Sequence, residues 1–82
     1  MAVDFEKLIK NMIVPLVVNP DDVLVKIISS DDEIITIQLL VNEADLGRVI
    51  GKGGKIASAM RTIVYAGASK EGKRVQIDID SF

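Results

Sequence analysis

The run Val49-Ile50-Gly51-Lys52-Gly53-Gly54-Lys55-Ile56 decides how this chain folds, because it places three glycines within four residues. Helical sequence lies on both sides of it, so the backbone must turn sharply there and can let another molecule approach closely. The first amides of the following helix have no partner inside that helix and carry a partial positive charge. Lys52 and Lys55 flank those amides. This combination predicts a site for a phosphate group.

Three phosphate-binding motifs compete for this run, and two of them fail on spacing. A Walker A loop needs four residues before its Gly-Lys pair and then Ser or Thr, whereas three residues separate Gly47 from Gly51, and Gly53 follows Lys52. A dinucleotide-binding loop needs a third glycine where Ile56 stands, and it follows a strand rather than a helix. The pattern Gly-x-x-Gly between two helices remains, and in KH domains this loop holds the backbone of single-stranded nucleic acid.

Upstream of the glycines, the sequence predicts a helix and a β-hairpin. Apolar residues recur at helical spacing from Phe5 to Leu16, Asp4 is placed to cap the helix, and Pro15 opposes continuation past Val14. A turn at Pro20-Asp21-Asp22 precedes strands over 23–28 and 34–41, which the short loop between them makes antiparallel. The residues expected on one face of each strand are Val23, Val25 and Ile27, and Ile35, Ile37, Leu39 and Val41.

Downstream, the pattern predicts two helices and a third strand. Asn42 is placed to cap a short helix over 43–50, with Asp45 in its first turn, where the helix dipole favours an anion. A longer helix is expected over 55–66, with Gly67 at its end. After a loop over 69–73, alternating Val75, Ile77 and Ile79 predict a half-buried strand. The order α-β-β-α-α-β favours parallel pairing of the third strand with the second, in a three-stranded sheet with all helices on one face.

Composition narrows the classes of function. A chain of 82 residues predicts a single domain over 1–82, and 49% hydrophobic with 4% aromatic residues predicts an aliphatic core. The absence of Cys and His removes the usual nucleophile, general base and transition-metal ligands, so we expect no enzyme, no metal and no cofactor. No targeting or membrane segment is evident, which predicts a cytoplasmic protein. The stretch 46–74 carries a charge of +6 and the remainder −8, so a local basic face can bind an anion.

The extended run resembles a known family. Val49 to Ile56 resembles the Ile-Gly-x-x-Gly signature of KH domains, and the element order is similar to the type II, or prokaryotic, KH arrangement. Asp45 to Gly54, together with Arg61-Thr62-Ile63-Val64-Tyr65, resembles small stand-alone bacterial KH proteins of the KhpA type. The resemblance covers essentially the whole chain and implies an α+β fold with a three-stranded mixed sheet.

The resemblance implies that the protein binds single-stranded RNA. In that case the loop would hold the backbone of about four nucleotides. Lys52 and Lys55 would pair with phosphate, while Ile50, Ile56 and residues of the second strand would form an aliphatic floor. Arg48 would be either a phosphate ligand or a solvated helix residue. The RNA-binding residues expected are Arg48, Ile50, Gly51, Lys52, Gly53, Gly54, Lys55 and Ile56.

Acidic residues in the hairpin loop are expected to limit affinity. This loop faces the groove in the family type, and here it carries Asp31, Asp32 and Glu33. Carboxylates repel phosphate, so RNA binding is expected to be modest and strongly salt-dependent.

The long helix predicts a second surface. Its apolar residues span an arc of roughly 200°, wider than the roughly 100° needed to pack one face. Either the first helix covers the excess, or Ala59, Ile63 and Ala66, with Thr62 at the rim, form a self-association surface in a symmetric dimer. Tyr65 is expected in the core or an interface rather than against a base. Arg61 is expected to be a solvated helix residue rather than a phosphate ligand.

The family also implies partners and a cellular role. Proteins of this type are expected to self-associate and to pair with a larger KH-containing partner, KhpB (also called EloR or Jag). They are expected to act as post-transcriptional regulators or RNA chaperones that affect cell elongation, division, cell shape and cell-wall organization. An alternative from another class is a protein-interaction subunit in which RNA binding is weak or vestigial.

Overall fold

The computed structural model describes residues 4–82, so residues 1–3 of the expected domain lie outside the described residues. It confirms the predicted order of elements. Helix α1 spans Phe5–Ile13, α2 spans Leu46–Ile50 and α3 spans Lys55–Lys70, while strand β1 spans Leu24–Ser30, β2 spans Ile34–Val41 and β3 spans Arg74–Ser81. Single 3₁₀ turns occupy Val14–Leu16, Pro20–Asp22, Glu43–Asp45 and Lys52–Gly54. No helix among the described residues is long and apolar enough to cross a membrane.

The sheet is mixed, as predicted, and β2 is its central strand. Strand β1 pairs antiparallel with β2, and β3 pairs parallel with β2 from Ile34 opposite Arg74 to Val41 opposite Ser81. A bulge in β1 shifts its register and leaves Ile28 54% exposed. The prediction that β1 ends at Ile28 is therefore wrong, because the bulge lets pairing resume and continue to Ser30.

One face of the sheet carries the core, as the alternating pattern of β2 predicts. Its four inward side chains are all buried: Ile35, Ile37, Leu39 and Val41. They form one cluster with the inward residues of the helices, which are Phe5, Ile9 and Ile13 of α1, Val49 of α2, and Met60, Val64 and Ala68 of α3. The face expected for the first strand is only partly realised. Val23, which lies immediately before β1, is buried, whereas Ile27, beside the bulge, is 37% exposed.

The first helix begins and ends where the sequence predicts. The Asp4 carboxylate caps it by accepting a hydrogen bond from the Lys7 amide at 3.0 Å. Regular helix stops at Ile13, and the segment containing Pro15 continues only as a 3₁₀ turn.

The predicted end of the long helix is wrong. Helix α3 continues through Gly67 to Lys70, because Ala68 packs fully buried in the core and holds this last turn in place. The terminating glycine is Gly72, with φ of +71°. Its amide donates to the Ser69 carbonyl and the Lys73 amide donates to the Ala68 carbonyl, both at 3.0 Å. This pair of bonds is a Schellman C-cap, so most of the loop predicted over 69–73 belongs to the helix and its cap.

Candidate nucleic-acid interface

The glycine loop adopts a backbone that only glycine enters without strain. Gly51, Gly53 and Gly54 have φ of +78°, +65° and +75°. A β-carbon added at Gly53 or Gly54 would meet no atom within 4 Å. These two positions therefore require glycine for the backbone angle alone, and the space in front of them is open.

Two amides at the tip of this loop remain available to a ligand. The amide of Gly51 donates to Gly47 at 2.9 Å, that of Gly54 donates to Gly51 at 3.1 Å, and that of Lys55 donates to Lys52. Within residues 4–82, no carbonyl accepts a hydrogen bond from the amide of Lys52 or Gly53. Both residues are exposed, as is Lys55. The loop thus presents two amides and two ammonium groups beside the positive end of α3, an arrangement that suits an anion.

Ile56 lies behind the loop rather than in front of it. Its Cγ1 atom would be 2.7 Å from a β-carbon built on Gly51. The same side chain lines a groove between the end of α1 and the start of α3. The structure therefore places Ile56 where it supports Gly51, on the α1 side of α3. Ile50, immediately before the loop, is 37% exposed.

A buried carboxylate anchors the helix that leads into the loop. Asp45 is completely buried and accepts hydrogen bonds from the Val18 amide at 3.0 Å, the Asn19 amide at 2.9 Å and Asn19 Nδ2 at 3.1 Å. Arg48 Nη1 completes the set at 3.1 Å and also donates to the Ala44 carbonyl at 2.9 Å. The predicted role of Asp45, an anion merely facing the helix dipole, is thus incomplete. It ties the segment after α1 to the start of α2.

These contacts set the charge state of Asp45 and the role of Arg48. The hydrogen bond from the Val18 amide is the main cause that lowers the pKa of Asp45. Burial opposes this effect, and the Asn19 donors and the Arg48 charge add to it. Arg48 is half exposed, with 51% of its side chain accessible, and one of its nitrogens is already committed to Asp45. Sequence reasoning missed this role because the donors lie 26 and 27 residues away along the chain.

The groove beside the loop is bordered by β3, and the prediction that β2 forms its floor is wrong. Ile37 and Leu39 of β2 are completely buried beneath the helices, so no ligand reaches them. Strand β3 is the edge strand next to α2 and α3. Arg61 joins α3 to that edge by donating from Nη2 to the Ile77 carbonyl at 3.3 Å. Arg61 is therefore not simply solvated.

The acidic hairpin loop lies beside Arg74, at the end of the groove farthest from the glycines. The Glu33 carbonyl accepts a hydrogen bond at 2.8 Å from the Arg74 amide, which follows the C-terminal end of α3. The glycine loop is at the other end of this 16-residue helix, about 24 Å away. Screening limits each charge's reach to about 8 Å at physiological salt, so these acids do not repel a phosphate at the loop. The hydrogen bonds from the Ile34 and Glu33 amides lower the pKa of Asp31.

The four residues predicted for self-association are exposed and share one stripe of α3. Ala59, Thr62, Ile63 and Ala66 recur at helical spacing, and Ile63 is 52% exposed. Helix α1 does not cover them, because the buried stripe of α3 consists of Ala57, Met60, Val64 and Ala68. The stripe borders the groove in which Ile56 lies, which has a volume of about 310 Å³. An apolar helix face thus lies open beside the loop.

Comparison with known proteins gives one family. The sequence matches the family described as KhpA/KhpB, KH domain, over residues 6–79. It is 45% identical over 74 residues to the RNA-binding protein KhpA of Listeria monocytogenes, covering 90% of this chain and 96% of that one. It is 43% identical over 74 residues to the RNA-binding protein KhpA of Bacillus subtilis, covering 90% of each chain. It is 49% identical over 73 residues to the protein of the same name from Caldanaerobacter subterraneus, covering 89% of this chain and 96% of that one. The sequence similarity agrees with the α+β fold, its mixed sheet and the exposed glycine turn between two helices. The chain therefore belongs to the KhpA/KhpB KH-domain family.

Proposed function

We propose that this protein binds single-stranded RNA, with the glycine loop holding the sugar-phosphate backbone. The observation that carries the proposal is the loop itself, an exposed turn between two helices of a KH domain. Two of its amides donate to no carbonyl in the part of the chain that the structure describes. Family membership confirms that the chain is a binding protein rather than an enzyme, because the KH domain is a nucleic-acid-binding module.

Each residue near the loop has a distinct part in this proposal. The amides of Lys52 and Gly53 donate to phosphate oxygens, and the Lys52 and Lys55 ammonium groups neutralise the charge. Gly51 and Gly54 give the turn its shape, and Ile56 supports Gly51 from behind. Ile50 precedes the loop and is 37% exposed, so it offers the bases apolar contact.

Arg48 keeps Asp45 paired and presents the exposed half of its side chain near the RNA backbone. We propose that the RNA bound in this way is the target of post-transcriptional regulation or RNA chaperone activity, with effects on cell elongation, division and cell shape. The similarity to proteins named RNA-binding protein KhpA supports the RNA part of this proposal. The cytoplasmic location stays a prediction.

The test is a pair of loop variants matched in shape that differ in charge. Gly53→Asp with Gly54→Asp places two carboxylates where the phosphate is bound, whereas Gly53→Asn with Gly54→Asn adds side chains of the same shape without charge. Both residue types tolerate the left-handed backbone, so both variants should fold. We expect the Asp pair to abolish retention of single-stranded RNA and the Asn pair to retain part of it. Undiminished binding by a folded Asp pair would exclude the loop as the site.

A second candidate function, self-association, is favoured by the exposed stripe of α3. A two-fold axis between Thr62 and Ile63 would place Ala59 of one copy against Ala66 of the other, so two small residues let the helices approach closely. The same face would serve a heterodimer with a KhpB-type partner, as the shared family name suggests.

Two matched substitutions test the surface. Ile63→Asp and Ile28→Asp introduce the same charge at isoleucines that are 52% and 54% exposed, on α3 and on the β1 bulge. We expect only Ile63→Asp to abolish self-association, measured by sedimentation velocity over a range of concentrations. An Ile63→Asp protein that dimerises like the Ile28→Asp protein would place the interface elsewhere. Loss of cellular function in Ile63→Asp, with function retained in the Gly53/Gly54 Asp pair, would favour the interaction subunit over the RNA binder.

A further inference from the structure

The side of α3 that faces β3 carries a polar and aromatic stripe distinct from the self-association face. Ser58, Arg61, Tyr65 and Ser69 recur at helical spacing from the glycine loop towards the end of the helix. The stripe faces β3, because Arg61 donates a hydrogen bond to the Ile77 carbonyl at the β3 edge. The stripe therefore runs along the seam between α3 and β3, beginning at the loop proposed to hold RNA.

A cavity lies at the far end of this seam. It has a volume of about 370 Å³ and is lined by Tyr65 and Ser69 of α3, Lys73, and Arg74 and Val75 of β3. Tyr65 is 44% exposed, so of the two predicted placements, in the core or in an interface, the structure excludes the core. Tyr65 lies eleven positions after Gly54, which corresponds to about 16 Å along the helix.

The lining of the cavity matches the chemistry of a nucleotide. An exposed tyrosine ring offers a stacking surface for any base, a serine hydroxyl hydrogen-bonds to a sugar or base edge, and a guanidinium or ammonium group pairs with phosphate. An apolar ligand would need none of these polar groups, and Ser58, Arg61, Tyr65 and Ser69 recur along α3 between the glycine loop and the cavity. The occupant that fits is a further nucleotide of the same strand.

We propose that the cavity at Tyr65 is a second nucleotide subsite, at which the base stacks on the Tyr65 ring and Arg74 and Lys73 contact its phosphate. This inference rests on the proposed RNA-binding function of the loop and extends it along the α3–β3 seam. The bound strand is consequently longer than the four or so nucleotides that a KH loop holds by itself.

Acidic groups lie beyond the proposed subsite, at the end of the α3–β3 seam. Lys73 is close enough to Asp31 for its charge to contribute to the lowered pKa of that carboxyl, and Glu33 lies beside Arg74 in an adjacent cavity. Beyond the subsite a phosphate would therefore meet carboxylates. The gain in affinity with RNA length should stop once the strand reaches Tyr65.

The test compares fluorescent oligouridines of about four and about eight nucleotides, with binding measured by anisotropy on the full chain. We expect the wild-type protein to bind the longer strand more tightly. Tyr65→Leu should weaken the longer strand about tenfold and leave the shorter strand unchanged, because one stacked base is lost. Tyr65→Phe keeps the ring and should bind like wild type. Arg74→Gln provides a second, independent variant with the same expected selectivity for the longer strand.

Each outcome has one meaning. Equal wild-type affinity for the two lengths, or equal losses for both lengths in Tyr65→Leu and Arg74→Gln, overturns the second subsite while leaving the loop proposal intact. The Asp pair at the loop should abolish binding of both lengths. If the Gly53/Gly54 Asp pair leaves RNA binding unchanged, the loop proposal is overturned. The second subsite, which rests on the loop proposal, is then overturned too.

Discussion

Ile56 packs directly against Gly51, so that a β-carbon at Gly51 would lie 2.7 Å from Ile56 Cγ1 and 2.9 Å from Ile56 Cβ. No real β-carbon tolerates such a contact with a branched, half-buried side chain. Gly51 also has a φ of +78° with a ψ of 169°, a region essentially confined to glycine. Gly51, the first residue of the turn, must therefore be glycine for two reasons, its backbone angles and its packing against Ile56.

Gly51→Ala should destabilise the fold by about 2–4 kcal/mol, from backbone strain and overpacking together. Gly47→Ala is the matched control, because Gly47 lies in α2 without a positive φ and its added β-carbon would meet nothing within 4 Å. That control should match wild type or gain up to about 1 kcal/mol. Urea unfolding followed by circular dichroism measures both. Equal stability of the two variants would show that Ile56 does not pack as described.

Asp45→Asn should lower the melting temperature at neutral pH by at least about 5 °C, because four donors converge on a buried carboxylate. The pKa of Asp45 is lower in the folded than in the unfolded state, so its contribution is complete above the unfolded value. That contribution is lost as the pH falls below about 4, through the folded value.

Thermal unfolding between about pH 7 and pH 2 tests this linkage. The Asn variant should start lower and lose less stability on acidification than wild type. It should keep some acid dependence, because the pKa of Asp31 is lowered too. Parallel curves for the two proteins would contradict the role assigned to Asp45.

The proposed dimer brings like charges together, which gives it an unusual salt dependence. With the two-fold axis between Thr62 and Ile63, Lys55 of one copy lies opposite Lys70 of the other, and both lysines are exposed. Raising the salt concentration should therefore strengthen self-association while it weakens RNA binding.

Lys70→Glu should tighten the dimer by about threefold to tenfold, because it replaces two repulsions with two ion pairs. Lys26→Glu on the outer face of the sheet is the control for net charge and should leave the dimer unchanged. Sedimentation equilibrium at two salt concentrations measures both. A Lys70→Glu protein that dimerises no better than Lys26→Glu would refute the antiparallel pairing.

A fourth prediction concerns the stability of the C-terminal end of α3. Gly72→Ala should cost about 1–2 kcal/mol, since φ at this position is +71° although the space around it is open. Gly72→Asn should cost less, because asparagine enters the left-handed region more readily. Chemical denaturation distinguishes the two, and an Ala variant as stable as wild type would mean that the left-handed backbone at Gly72 does not limit the stability of this helix end.

Local signals in the sequence account for most of the correct predictions. The alternating pattern of β2, the cap at Asp4 and the cluster of positive-φ glycines are all properties of a few neighbouring residues, so the sequence alone placed them. The loop could be assigned before the structure because left-handed backbone at Gly53 and Gly54 demands glycine, whatever surrounds them.

The failures concern contacts between residues distant along the chain. Gly67 resembles a helix end until Ala68 is seen to pack in the core, and the deciding contact is tertiary. Asp45 gives no sign that Val18 and Asn19 approach it. The distance between the hairpin acids and the glycine loop depends on the direction of α3 across the sheet, which composition and spacing do not encode.

The proposed RNA binding depends above all on the amides at the tip of the glycine turn, which hold the RNA backbone. Titration of the ¹⁵N-labelled protein with a single-stranded oligouridine, followed by amide chemical shifts, tests it most directly. We expect the largest shifts on the amides of Lys52 and Gly53, and smaller shifts along the α3–β3 seam towards Tyr65. Shifts concentrated on the outer face of the sheet, with the amides of Lys52 and Gly53 unmoved, would contradict it.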